Sequence, residues 1–397
     1  MRILFVTPAT PLAENYSGAA SRYRQNFLAL HRLGHELHGV RIDTAAALAE
    51  LNQHIDPVEA YAAEWHPIAI DMPPSPNGRL RRLWLSATQP QRYELPRVAV
   101  IADALAPVIN SAKPDLIWVE NLELAAAMIT LDSSIHWIYS QHDLAFRVRR
   151  IRQGALSLAD RWWLLTLQRA EAAVIRQTPQ ILAGSATDGE RSRQLGARSV
   201  HVIPMGYDPT PSAGGCASND VRIIHLGSLE TTANRVGLEA YLRRAHPHLT
   251  APPPLWIIGD NRRIKPALAA LLEAADAVQT GFTADLSSVL RPFDITIIPY
   301  EHDSGYRTKL PLLFSYGQVV VTTRAAIAGT LLPGMADVCV ICDTLEAFPA
   351  AINALAADSD RRQQIGAAAR AYFAEHFTHD ALLDHYRRML AAMEPRA

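Results

Sequence analysis

Lysine is scarce in this sequence of 397 residues. It occurs only at positions 113, 265 and 309, among 38 basic residues in total. A biased base composition of the genome is the simplest explanation of this preference for arginine over lysine. Because lysine is rare, the position of Lys309 is noteworthy. Acidic and basic residues nearly cancel, with a net charge of −1, so the overall charge does not favour nucleic-acid binding.

Cysteine is also scarce, at positions 216, 339 and 342. So few cysteines, in an odd number, argue against a disulfide framework and fit a reducing compartment. Cys339 and Cys342 have Cys-x-x-Cys spacing, but a zinc site would need a second pair. In a strand, residues three apart also point to opposite faces. We therefore interpret both as structural and expect no metal site.

A membrane-spanning helix needs about 20 consecutive apolar residues, and no apolar run in this sequence approaches that length. The apolar part of the N-terminus, MRILFVTPATPL, is interrupted by prolines and is too short for a signal peptide. These features predict a cytoplasmic protein, and they leave open a peripheral contact with the inner face of a membrane.

Strand-like and helix-like segments alternate along the chain. Residues 2–7 are typical of a buried strand, residues from about 20 to 33 of a helix and residues 35–42 of a second strand. This order is a βαβ unit and implies a parallel sheet. A second alternating series follows a segment rich in Pro, Gly and Ser, residues 206–220, which is typical of an interdomain linker.

The sequence thus predicts an α/β protein with two Rossmann-like, doubly wound domains, residues 1–205 and 221–375. The helical tail ends in residues 376–397, which we expect to cross back to the N-terminal domain. Ligands of open α/β sheets bind outside the carboxyl ends of the strands, so we expect the site in a cleft between the two domains.

Two cations stand where a helix is expected to begin in HDSGYRTKLPLLFSYGQVVVTT, residues 302–323. Helix N-termini favour anionic neighbours, so Arg307 and Lys309 are unfavourable there unless an anion binds. Gly305 permits a close approach, and the loop follows the apolar strand DITIIPY, residues 294–300. This pattern leaves two interpretations open: a phosphate site, or a solvated helix start with two surface cations.

The C-terminal half resembles the family-4 glycosyltransferases of GT-B architecture, the glycosyl transferases group 1. Residues 280–330 follow the family's order of a Gly-Phe pair, short helix, apolar strand, glycine loop, helix and β-run. IIHLGSL (223–229) resembles the first strand and turn of the nucleotide-sugar-binding domain. In the N-terminal half, GAASRYRQNFLALHRLGHELHGV (18–40) and VIPMGYDP (202–209) are similar to the first glycine loop and helix and to the entry to the linker.

The resemblance implies transfer of a sugar from a nucleotide-sugar donor to an acceptor hydroxyl, with retention and with no metal or other cofactor. The acceptor, a glycan or a lipid-linked molecule, would bind the N-terminal domain. The implied catalytic residues are His142, Arg307 and Lys309. The implied donor-binding residues are Gly18, Gly281, Phe282, Ser304, Gly305, Tyr306, Arg307, Thr308 and Lys309.

His142 lies at the end of the predicted strand HWIYSQHD, residues 136–143, and the resemblance implies that it contacts the donor sugar. The alternative is a structural histidine with satisfied hydrogen bonds.

One pair of positions departs from the family's pattern. Most members carry two glutamates around the glycine loop, the first for the transferred sugar and the second for the ribose. Here these positions hold Ser304 and Leu312. Glu301 and Asp303 are near enough to replace the first, but leucine cannot accept a ribose hydrogen bond. A non-catalytic nucleotide-sugar-binding partner protein and a nucleotide-sugar epimerase of the same architecture therefore stay open.

Arginine, leucine and tryptophan are mixed in two segments, residues 79–93 and 146–169. Such segments suit an anionic membrane surface or an acidic or lipid-linked acceptor. The alternative is a set of amphipathic helices packed in the domain with their arginines in water. Single-stranded nucleic acid is less favoured, because the chain has no larger basic field.

Overall fold

The chain forms two compact units, Met1–Pro204 with Leu383–Ala397 and Met205–Leu382. Their architecture comes from a computed structural model. The residues it describes are 1–9, 18–50, 61–71, 73, 78–131, 134–153, 156–208, 220–262, 264–283, 285–303, 306–330 and 332–393.

The first unit is built on a parallel sheet of seven strands in the order β3-β2-β1-β4-β5-β6-β7. Its strands are β1 (Arg2–Thr7), β2 (Glu36–Asp43), β3 (Glu64–Ala69), β4 (Leu116–Glu120), β5 (His136–Gln141), β6 (Gln180–Ala183) and β7 (Val200–Val202). Its helices are α1 (Gly18–Arg32), α2 (Ala45–Glu50), α3 (Arg79–Thr88), α4 (Pro90–Glu94), α5 (Val98–Ala112), α6 (Leu122–Leu131), α7 (Ala145–Gln153), α8 (Leu158–Gln177) and α9 (Ala186–Gln194).

The second unit has a parallel sheet of six strands in the order β10-β9-β8-β11-β12-β13. Its strands are β8 (Ile223–Leu226), β9 (Leu255–Ile258), β10 (Val278–Gly281), β11 (Ile295–Ile298), β12 (Val319–Thr323) and β13 (Val340–Cys342). Its helices are α10 (Thr232–Arg244), α11 (Pro266–Ala274), α12 (Lys309–Ser315), α13 (Arg324–Ile327), α14 (Phe348–Ala357) and α15 (Ser359–His376). The last helix, α16 (His379–Ala391), begins in the second unit and belongs to the first unit from Leu383 onward.

The central strands are buried along their whole length, as expected for a sheet covered by helices on both faces. In β12, all five residues of VVVTT are buried, and in β1 only Arg2 is exposed. The predicted α/β class is therefore confirmed in both units. In the described part of the chain, no helix is both long and apolar enough to cross a membrane.

One strand was not predicted. β3 pairs with β2 at the edge of the first sheet, and all six of its residues are exposed or half-buried. Its sequence, EWHPIA, contains a proline and lacks the apolar run of a buried strand, as is common for edge strands. Local sequence pattern therefore gave no signal for it.

The strand order reverses once in each sheet, between β1 and β4 in the first and between β8 and β11 in the second. In doubly wound sheets, the crevice at such a point, outside the carboxyl ends of the strands, is where ligands bind. In the first unit, β4 ends at Glu120 and His142 follows β5. In the second, Gly227 follows β8 and Tyr300 lies just after β11.

Candidate active site

Lys309, the first residue of α12, reaches back to the carboxyl end of the second sheet. Its ammonium donates hydrogen bonds to the hydroxyl of Tyr300 at 2.7 Å and to Oδ1 of Asn234 at 2.9 Å. The third acceptor is the carbonyl of Leu226, the last residue of β8. All three acceptors are uncharged oxygens, so none of them balances the positive charge of the ammonium.

Burial of this ammonium, assisted by the charge of Arg307, lowers the pKa of Lys309 to about 7. Removing a cation from water without supplying an anion disfavours its charged form. An anion bound at the site would reverse the shift. The electrostatics of the second unit therefore favour an anionic ligand beside Lys309.

His225, in β8, is a second buried polar side chain whose hydrogen-bonding capacity is unsatisfied. Its side chain is fully buried, and neither ring nitrogen has a hydrogen-bond partner within the described ranges. Burial, with the charge of Lys309, holds the pKa of His225 well below its ordinary value. The imidazole is therefore neutral and supplies no further charge.

Arg307 and Lys309 both lie close to the aromatic ring of Tyr300. Its guanidinium carbon is 4.9 Å from the centre of the Tyr300 ring, and the Lys309 ammonium is 5.2 Å from the same centre. Its Nε donates to the carbonyl of Ala326 at 2.6 Å and its Nη2 to that of His302 at 3.1 Å. The structure thus brings the two predicted cationic site residues together around Tyr300.

The backbone N–H of Arg307 donates to Oγ1 of Thr330 at 2.8 Å. The resemblance implies that the backbone groups of Tyr306, Arg307 and Thr308 meet the donor diphosphate. Here, however, the N–H of Arg307 holds the loop to the chain beyond α13. Of the three backbone groups that the resemblance assigned to the diphosphate, Arg307 therefore has its N–H already engaged within the protein.

The other predicted donor residues on this loop have partners within the second unit. The hydroxyl of Tyr306 donates to the carbonyl of Met205 at 3.1 Å. The carbonyl of Thr308 accepts a hydrogen bond from the hydroxyl of Tyr207 at 2.9 Å. Ser304 and Gly305 lie outside the described residues.

Gly281 and Phe282 stand at the carboxyl end of β10. Gly281 has φ +72° and accepts a hydrogen bond from the N–H of Gly259 at 2.9 Å. The Phe282 side chain next to it is 68% exposed. An exposed aromatic ring at a strand end is available to a planar ligand such as a nucleotide base. Gly18 is the first residue of α1, in the first unit.

Glu301, one of the two carboxylates near the first missing glutamate, is engaged elsewhere, and Leu312 replaces the second glutamate with an apolar side chain. The carboxylate of Glu301 binds Arg244 at 2.6 Å on the surface. Leu312 is half-buried against an apolar cluster of the second unit that includes Leu313 and Phe314. Leu312 therefore serves packing, as its side chain suggests, and contributes no polar group to a ribose.

The absence of a side chain at Gly227 leaves room for the Lys309 ammonium. Its φ is +131°, and a Cβ built there would lie 2.6 Å from Nδ2 of Asn234 and 3.0 Å from the Lys309 ammonium. The turn after β8 therefore needs glycine both for its backbone conformation and for the room it leaves.

We expect Gly227→Ala to lower the free energy of unfolding by about 2–4 kcal/mol, because a strained backbone and a displaced Lys309 add together. Chemical denaturation measures the loss. Gly78→Ala is a matched control, since Gly78 has φ +87° but no described residue lies within 4 Å of its added Cβ. An equal loss in the two variants would show that the space beside Lys309 is unimportant.

In the first unit, His142 is held by a buried carboxylate. Its Nε2 lies 2.9 Å from Oε2 of Glu120, which is completely buried at the end of β4. Oε1 of Glu120 accepts from Nδ2 of Asn26 at 2.7 Å and from Nε1 of Trp118 at 2.9 Å. Burial raises the pKa of Glu120, but the hydrogen bonds, led by that from His142, outweigh burial and lower it.

The same hydrogen-bond network extends to the C-terminal helix. The hydroxyl of Tyr386, on α16, donates to Oδ1 of Asn26 and accepts from Nε2 of Gln25 at 3.0 Å. Tyr386 is fully buried. The position of His142 therefore depends, through Glu120 and Asn26, on a residue near the end of the chain.

His142 also lines a cavity of about 500 Å³ within the first unit. The ring of Tyr23 packs edge-on against the imidazole, with 4.8 Å between the ring centres. Asn121, also in the wall, has φ +102°, a rare conformation for a residue other than glycine. Such strain is frequent at functional sites. The cavity combines these polar groups with apolar walls, including Val148 and Leu167.

Several residues of these sites were not predicted. Glu120 closes the apolar strand LIWVE, and a single acid at the end of a buried strand is a signal that sequence reading could have used. Tyr300, likewise, ends an apolar run. Tyr386 gives no such signal, because its helix has an ordinary amphipathic pattern.

The fold is that of the GT-B glycosyltransferases, as comparison with solved structures shows. Sucrose-phosphate synthase from Thermosynechococcus elongatus is 14% identical, with a TM-score of 0.69 over 98% of this chain and 99% of that chain. HepE from Anabaena, solved in complex with UDP, is 15% identical, with a TM-score of 0.68 over 99% and 100%. The lipopolysaccharide outer core galactosyltransferase WaaB, in its apo form, is 12% identical, with a TM-score of 0.63 over 99% of each chain.

Residues 220–358, in the second unit, match the family model described as glycosyl transferases group 1. This match confirms, for that part of the chain, the resemblance inferred from the motifs. No curated protein matches the chain in sequence.

Proposed function

We propose that this protein transfers a sugar from a nucleotide-sugar donor to an acceptor hydroxyl. The family match of residues 220–358 and the GT-B fold support glycosyltransferase activity. The observation that carries the proposal is the pair of cations around Tyr300, in which the Lys309 ammonium has three acceptors among the described residues, all of them uncharged. A nucleoside diphosphate supplies the missing negative charge.

In the reaction we propose, the donor diphosphate lies beside Arg307 and Lys309 and leaves with its electron pair as the sugar–oxygen bond breaks. The acceptor hydroxyl attacks the same face of the sugar, so configuration is retained, and its proton passes to the departing phosphate. The two cations stabilise the charge that develops on the leaving group. This scheme uses no metal and no protein base.

The role of His142 in this scheme is to bind hydroxyl groups in the cavity of the first unit. Its Nε2 is fixed by Glu120, which sets the orientation of the ring. The acceptor, a glycan or a lipid-linked molecule, would occupy that cavity. We further propose that the protein works in the cytoplasm, in keeping with its few cysteines.

UDP is the first ligand to test, because HepE was solved with UDP and with UDP-glucose. We expect UDP to bind and to take up close to one proton above pH 7, since the diphosphate favours the charged form of Lys309. A free-state pKa of about 7 makes affinity fall about 50-fold from about pH 7 to about pH 9. Calorimetry in buffers of different ionisation enthalpy measures both quantities.

Lys309→Met is the matched control for this titration, since it keeps the length of the side chain and removes the proton. The variant should bind UDP weakly and with little dependence on pH. If the native protein bound UDP with the same affinity across this pH range, Lys309 would not be the diphosphate ligand. If UDP does not bind, a panel of other nucleoside diphosphates shows whether the site prefers another base or does not bind a diphosphate.

A second candidate function is nucleotide-sugar binding without catalysis. Leu312 favours it, because this half-buried side chain packs in an apolar cluster where most family members place a ribose-binding glutamate. Incubation with nucleotide sugars and a broad acceptor panel distinguishes the two. Binding without turnover favours the binding protein, whereas turnover of the donor to another nucleotide sugar without any acceptor indicates an epimerase.

A further inference from the structure

Exposed apolar side chains are concentrated on two helices of the first unit. Among the described residues, eleven large apolar side chains are exposed, and six of them lie on α3 and α8. Leu80 and Leu158 are the most exposed, at 83% and 84%. The full set is Leu80, Leu83, Trp84, Leu158, Trp162 and Leu165, here called the α3–α8 surface.

The spacing of these residues places each set along one side of its helix. Leu80, Leu83 and Trp84 are at positions i, i+3 and i+4 of α3, and the three on α8 are at i, i+4 and i+7. The indole N–H of Trp162 donates to Oγ of Ser86 at 3.2 Å, which joins the two helices. The α3–α8 surface is therefore one continuous feature of the fold.

The exposed charges around the α3–α8 surface are basic. Arg81 and Arg82 on α3 and Arg161 on α8 are exposed, and α3 contains no acidic residue. On α8, Asp160 is committed to the capping box with Ser157, and Glu171 is buried. The surface thus combines exposed leucine and tryptophan with arginine, and exposed acids are lacking on the described parts of both helices.

We propose that the α3–α8 surface docks the protein on an anionic lipid bilayer. Leucine side chains gain free energy when they leave water for the acyl region, and tryptophan prefers the headgroup level. Arginines beside them bind anionic headgroups while their apolar stems lie along the same boundary. This combination of buried apolar area and charge attraction is what interfacial binding requires.

Docking here would also give the neighbouring cavity access to lipid-borne molecules. α8 contributes Leu167 to the cavity wall, and α7 contributes Val148 and the exposed Arg149. The helix that carries half of the docking surface therefore also lines the cavity that holds His142. The docking itself does not depend on sugar transfer, so the two proposals fail or succeed separately.

Vesicle sedimentation of the full chain tests the proposal. We expect binding to phosphatidylcholine vesicles that contain about 30% phosphatidylglycerol, and at least tenfold weaker binding to pure phosphatidylcholine. Raising salt from about 0.1 to about 0.5 M should weaken binding severalfold, because screening shortens the reach of the arginines. Fluorescence of exposed tryptophan should shift to the blue on binding.

Two variants separate the apolar and the charged parts. Leu80→Ser/Trp84→Ser/Leu158→Ser should reduce partitioning about 100-fold, and Arg81→Gln/Arg82→Gln about 25-fold, or fivefold per charge. Val236→Ser/Val278→Ser is the matched control, because both valines are exposed but lie in the second unit. It should bind as the native chain does.

The proposal is overturned if the native chain does not bind anionic vesicles, or if the triple variant binds them as well as the native chain. Self-association of the native chain that disappears in the triple variant, without vesicle binding, would assign the surface to a second copy instead. Should the triple variant fold poorly, Leu158→Ser alone keeps the test open, since that side chain is 84% exposed.

Discussion

Lys309→Ala is expected to lower kcat/KM for sugar transfer by about 10²–10³-fold, the effect of removing one preorganised group that stabilises a leaving anion. The ammonium joins the end of β8, α10 and the chain after β11 through hydrogen bonds, so its loss removes charge and position together. Turnover of a bound nucleotide sugar and UDP affinity measure the effect.

Stability measurements show whether that loss comes from unfolding. The pKa of Lys309 is lower in the folded chain than its ordinary value of 10.5, so the unfolded state binds more protons between about pH 7 and 10.5. The stability of the native protein should therefore rise with pH through this range. In Lys309→Met this contribution disappears, and stability near pH 7 should stay equal or increase.

If Lys309→Ala kept its activity and bound UDP with unchanged affinity, Lys309 would not be a ligand of the donor phosphates. Lys265→Ala is a suitable control, since Lys265 precedes α11 and has no place in the site. It removes the same charge from the same unit. The comparison therefore separates an effect of net charge from an effect of position.

Glu120→Ala is expected to lower the free energy of unfolding by about 3–5 kcal/mol. The substitution leaves the side-chain donors of Asn26, Trp118 and His142 without their common acceptor in a fully buried position. Buried donors that lose a charged partner are among the most destabilising changes known. Urea denaturation measures the loss, and Glu190→Ala, at an exposed position on α9, should change stability by less than about 0.5 kcal/mol.

Glu120→Gln separates stability from function. The amide keeps its oxygen for Asn26 and Trp118 and therefore presents its N–H₂ group to His142, so the imidazole loses its anionic partner. We expect a smaller loss of stability, about 1–2 kcal/mol, unchanged UDP affinity and reduced turnover. Equal turnover in Glu120→Gln and the native protein would leave His142 with a structural role only.

Much of this architecture was readable from sequence, because it depends on local pattern. Apolar runs such as VVVTT and LIWVE are buried strands wherever they fall, since a strand between two layers of helices must be apolar on both faces. The segment with Arg307 and Lys309 was recognised for the same reason: its charge is anomalous for a helix start, whatever surrounds it.

The order of the strands in each sheet determined contacts between distant residues that the sequence pattern could not predict. Lys309 meets Leu226 and Asn234 only because β8 and β11 are neighbours, and these residues are 83 and 75 positions apart in the chain. Tyr386 reaches Asn26 across 360 positions. Periodicity reports which face of an element is apolar, but it contains no information on which distant element covers that face. The sequence alone thus determined two α/β domains and predicted an anion-binding loop, whereas tertiary structure determined the uncharged acceptors around Lys309 and the buried carboxylate behind His142.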